Sequence, residues 1–68
     1  LMENFSRIEM MLMSDGLLKL IGDANEAVKL VDDPATRKAI EAYRNRLVAL
    51  NSKLCSVISE MENSQQMV

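Results

Sequence analysis

Apolar residues recur at alternating intervals of three and four on both sides of a single proline, and that spacing leaves little room for anything but two packed helices. After Pro34 the series runs Ile40, Tyr43, Leu47, Leu50, Leu54, Val57 and Met61. Before it runs Met10, Met13, Leu17, Leu20, Ala24, Ala27 and Val31. A strand presents every second residue to one face and cannot collect such a series, whereas a helix of 3.6 residues per turn gathers it into one stripe. With Met10 and Ile40 taken as position a of a heptad, both series fill positions a and d, the pattern of coiled-coil seams. The fold class expected is all-α. Phe5 and Tyr43 are the only aromatic residues, and Gly16, Gly22 and Pro34 the only helix breakers, which is a poor composition for a sheet.

Asp32, Asp33 and Pro34 punctuate the two series. A residue before proline avoids the helical region, and proline suits the first position of a helix with an aspartate capping it. One helix is therefore expected to stop and the next to start within a few residues, which folds the second back along the first as an antiparallel hairpin. The expected boundaries within a single module of residues 1–68 are helix 4–32, bend 32–34, helix 34–62 and a frayed tail 63–68. A bend there pairs residues whose numbers sum to about 67, so the a/d residues named above form the intramolecular seam and Asp23 meets Arg46 as an ion pair at facing g positions. The alternative is a break at 14–16, where Ser14-Asp15-Gly16 has turn chemistry, giving a three-helix bundle.

A second stripe lies beside the first, at positions b and e: Met11, Leu18, Ile21 and Val28 on the first helix, Val48, Cys55 and Ile58 on the second. A hairpin that buries only its a/d residues leaves these in water, and an apolar patch of that kind marks an interface. The expected interface adds Phe5 and Ile8 from the start of the first helix, Asn51 as the one polar residue on the second helix's stripe, and Met61 at the end away from the bend. There six methionines, Met2, Met10, Met11, Met13, Met61 and Met67, are brought towards one another, flexible side chains suited to reshaping around an apolar partner.

Size points the same way. A chain of 68 residues buries too small a share of its surface to be comfortably stable alone without a staple. Cys55 is the single cysteine and histidine is absent, so an internal disulfide is impossible and a zinc site lacks its usual ligands. Oligomerisation is the route left, with dimerisation of the hairpin into a four-helix bundle as the commonest solution.

Other classes find little support. Arg37, Lys38, Arg44, Arg46 and Lys53 are interspersed with Glu41 and face an acidic first half, and the net charge is −2, unlike the basic stripe of a nucleic-acid binder. No Gly-rich phosphate loop, nucleophile elbow or histidine is present for catalysis. The longest apolar runs are four residues, as at Met10 to Met13, far short of a membrane span. The expectation is a non-enzymatic protein–protein interaction or oligomerisation module of a larger protein, without cofactor, metal, nucleic acid, membrane or small-molecule ligand. A free cysteine suits an intracellular, soluble setting, cytoplasm and nucleus being equivalent in this respect. The alternative is a monomeric three-helix adaptor that binds an amphipathic peptide of a partner protein.

Overall fold

The first helix begins where the sequence supplies a reciprocal cap. In the computed structural model, which describes residues 5–66 and side chains from 5 to 61, α1 spans Arg7–Leu30 and α2 spans Pro34–Gln66. The Ser6 hydroxyl accepts from the Glu9 N–H at 3.1 Å, and the Ser6 N–H donates to Glu9 Oε1 at 2.9 Å. This capping box satisfies donors that every helix start leaves over. It places the start three residues later than the expected position 4, and the Ser6-x-x-Glu9 spacing was the signal for it.

Gly16 and Gly22 lie inside α1 without interrupting it, so the break at 14–16 does not form and the hairpin has two helices, not three. Each glycine costs about 1 kcal/mol relative to alanine. Ser14, which a turn would have released to solvent, is instead buried against α2. Packing along the whole helix outweighs the local turn preference of Ser14-Asp15-Gly16, as tertiary contacts commonly do.

The bend is held by hydrogen bonds on both sides of residues 31–33. Val31 caps α1, its N–H donating to the Ala27 carbonyl at 3.1 Å, and Arg37 Nη2 donates to the Val31 carbonyl at 2.7 Å. Asp33 Oδ2 accepts from the Thr36 N–H at 2.9 Å and from the Thr36 hydroxyl at 2.6 Å. Pro34 occupies the first helical position, where its missing N–H costs nothing. The expected ends at 32 and 62 become 30 and 66; residues 67 and 68 of the expected frayed tail lie outside the described residues.

Both caps carry a pH signature. Hydrogen bonds from the Ser6 backbone and then its side chain hold the Glu9 carboxyl below its ordinary range. Those from the Thr36 side chain and then its backbone do the same for Asp33. A folded-state pKa below the unfolded one gives stability that is present above the ordinary carboxylate range and lost as pH falls through the folded value. Helicity followed by circular dichroism is therefore expected to hold from neutral to mildly acidic pH and to decline below the ordinary carboxylate range. Asp33→Asn, which keeps a capping oxygen but does not titrate, should flatten part of that decline. An acid profile identical in the two chains would show that the Asp33 cap contributes nothing.

The two helices pack against each other along their length, but through a seam rotated by about 50°, half the step of one helical residue, from the expected one. The most buried apolar residues are Met10, Ala24, Leu47 and Leu54, all at position a. Between them the seam is filled from position e: Ser14 is buried, and Ile21, Val28, Arg44, Asn51 and Ile58 are half-buried. The expected d residues Met13, Leu20, Tyr43 and Leu50 are exposed, while Ala27 and Val57 are half-buried. The reason is geometric. On each helix the apolar arc runs through d, a, e and b in turn, and a single neighbour covers most area by sitting over the middle of that arc, between a and e, leaving d and b as flanks.

The rotation also cancels the expected Asp23–Arg46 bridge, since it brings Arg44 rather than Arg46 beside α1. Arg44 Nη1 donates to Asn25 Oδ1 at 3.1 Å, and Lys29 pairs with Glu26 within α1 at 3.6 Å. The molecule is a rod of 53 × 19 × 14 Å with a radius of gyration of 15.3 Å, against about 11 Å for a compact chain of this length.

Candidate interaction surface

The seam contains one polar layer, and its residues were only half anticipated. Ser14 Oγ donates to Asn51 Oδ1 at 2.7 Å and lies 3.9 Å from Cys55 Sγ. The sequence signal was available: Ser14 and Asn51 are uncharged polar residues at position e on facing stripes, at nearly the same level of the hairpin. A buried hydrogen-bonded pair of this kind fixes register more than it adds stability, because removing one member strands the other. Asn51→Ala is expected to cost about 1 kcal/mol, seen as a fall of about 4–8 °C in Tm at fixed protein concentration. Pairing it with Ser14→Ala should recover much of that loss. A double variant no more stable than Asn51→Ala would show that the hydroxyl is not left unsatisfied.

The eleven residues expected to form the interface are divided by the observed seam. Ile21, Val28, Asn51, Ile58 and Met61 are half-buried, the first four of them in the intrachain contact. Met11, Leu18, Val48 and Cys55 remain exposed on the b flank. Phe5 and Ile8 are exposed at the start of α1. Of the methionines, Met10 is fully buried and Met11 and Met13 are exposed on opposite flanks; Met2 and Met67 lie outside the described residues. The b flank is therefore not a continuous apolar strip, since Asn25 and Glu41 occupy its remaining positions and Arg44 reaches across to Asn25.

The d flank is different. Met13, Leu20 and Ala27 on α1 and Tyr43, Leu50 and Val57 on α2 are all apolar, with no polar residue among them. Leu20 is 43% exposed, Tyr43 50% and Leu50 49%. An open groove of about 680 Å³ runs there, lined by Met13, Gly16, Leu17, Lys19, Leu20, Asp23 and Leu50. Gly16 borders open space there, since a Cβ added to it would meet nothing within 4 Å. Lys19 and Asp23 are its only charged lining.

Area gives a measure of what is missing. The chain exposes 5351 Å², whereas a compact monomer of 7.6 kDa exposes about 4,300 Å². The surplus of roughly 1,000 Å² is what each partner of a standard protein interface buries, about 800 Å². The exposed apolar side chains beside the seam lie on two flanks, and only the d flank is unbroken by a polar residue, from Met13 to Ala27 and from Tyr43 to Val57.

Among the described residues no group of histidine, cysteine, aspartate and glutamate could hold a metal ion, and no helix is long and apolar enough to cross a membrane. No protein-family model, curated protein or solved structure matches the chain.

Proposed function

We propose that this chain is a non-enzymatic oligomerisation module, working by apolar packing of its d flank against a second hairpin to complete a four-helix bundle. One observation carries the reading: a strip of six apolar side chains, four of them exposed and two half-buried, lies beside a core in which four apolar residues are buried among the described residues. A hairpin with so small a core is marginal alone, and closing the flank against another copy would cover the groove and supply the missing core at once. A symmetric pair is the simplest closed arrangement, since one surface then serves both partners. The three-helix adaptor loses its basis, because α1 is continuous through 14–16.

Sedimentation equilibrium over nanomolar to high-micromolar concentrations tests the proposal. The expected result is a dimer mass in the micromolar range, with helicity rising along with the dimer fraction. A fully helical monomer at every concentration would overturn it and leave the groove to a helix from another protein.

A further inference from the structure

We infer that the second copy sits with its two-fold axis along the hairpin, so that α1 of one copy lies antiparallel to α2 of the other and both bends point the same way. This rests on the self-association proposed above and specifies it. Two rotations can bring d flank to d flank. An axis along the rod places α1 on the partner's α2; an axis across the rod places α1 on α1 and α2 on α2, with the bends at opposite ends.

The residues bordering the d flank distinguish the two. They are the g positions: Glu9, Gly16, Asp23 and Leu30 on α1, and Ala39, Arg46, Lys53 and Glu60 on α2. The α1 edge thus carries acid and no base, and the α2 edge carries two adjacent bases. Cross-helix hydrogen bonds Ser14–Asn51 and Arg44–Asn25 set residue n of α1 level with a residue near 67 minus n of α2. A rotation along the rod preserves these levels. It therefore brings Asp23 within about half a helical turn of the partner's Arg46, opposes Gly16 to Lys53, and gives Leu30, 80% exposed in one chain, the small Ala39 to pack on.

Core layers follow the same complementarity, with Ala27 beside Tyr43, Leu20 beside Leu50 and Met13 beside Val57. Glu9 and Glu60 come level at the open end and oppose each other, moderated because Glu9 is drawn back to Ser6 by its cap. With hairpins flush, the crosswise rotation instead sets Arg46 against Lys53 twice over, deprives Asp23 of a cation and leaves Leu30 beside Glu9. Like charges juxtaposed across an interface select against the wrong arrangement.

Spin labels at Asp32→Cys in a Cys55→Ser chain give the test, because position 32 is exposed at the bend. Bends at the same end predict a label separation of about 25 Å, at most the diagonal of the four-helix square plus the label arms; bends at opposite ends predict a value near the molecule's 53 Å length. Charge reversal supplies an independent measure. Asp23→Arg and Arg46→Asp should each weaken the dimer roughly 10-fold, and the double reversal should restore it to within about threefold. A full-strength dimer with the long separation, or a double reversal no tighter than the singles, overturns this arrangement while leaving self-association standing. A monomeric mass at every concentration overturns both.

Discussion

Leu20→Glu combined with Leu50→Glu is expected to leave the chain monomeric and to lower its helicity at concentrations where the parent is folded. Both side chains stand on the d flank and line the groove, and each removes about 1.5–3 kcal/mol of burial. Each also places a carboxylate where a dimer would have to desolvate it, at a further cost of several kcal/mol unless paired. Since every 1.4 kcal/mol is about tenfold in affinity, the dissociation constant should rise by at least about 100-fold. Leu18→Glu with Val48→Glu is the matched control, two equally exposed residues on the flank broken by Asn25 and Glu41. Equal loss of association in both pairs would place the interface on both flanks or on neither.

Leu54→Ala has the second large effect. Leu54 is 2% exposed and shares with Met10 the deepest burial in the hairpin. Truncating such a side chain costs about 2–5 kcal/mol, the transfer energy of the lost atoms plus the cavity left behind. With four buried apolar residues among those described, the hairpin has little else to redistribute that loss onto, so a cooperative thermal transition should become broad and shift far below the parent's. Ile8→Ala, at a residue 69% exposed on the side away from α2, should move Tm by no more than about 0.5 kcal/mol would. A Leu54→Ala chain that melts like the Ile8→Ala chain would mean that the a/e seam is not what holds the helices together.

Much of this was legible in the residues alone. The intervals of three and four announced two helices, and Asp33-Pro34 announced where one gives way to the other. Ser6-x-x-Glu9 marked the start of α1 as clearly, though matching the length of the first helix to that of the second drew the boundary too early. Ser14 shows the opposite difficulty. Beside Asp15 and Gly16 it has the chemistry of a turn, and only the facing Asn51 gives its hydroxyl a partner that makes the helical path the better one. The charged edge was misplaced for a related reason: turning the seam from a/d to a/e brings Arg44 in and takes Arg46 out, and no local property of either arginine distinguishes them.

The sequence by itself determined that the chain is helical, where it bends, and that each helix carries an apolar arc wider than one neighbour can cover, because those properties follow from spacing and from backbone chemistry within a few residues. Which part of the arc is buried was decided only by the tertiary structure. Stripes a and d are the more apolar, while e carries Ser14, Arg44 and Asn51 and b carries Asn25 and Glu41, so spacing alone points to an a/d seam; only across a second helix do the Ser14–Asn51 bond and the contact area of the arc's middle favour a and e. The exposed d flank, on which the proposed association rests, is the consequence of that choice.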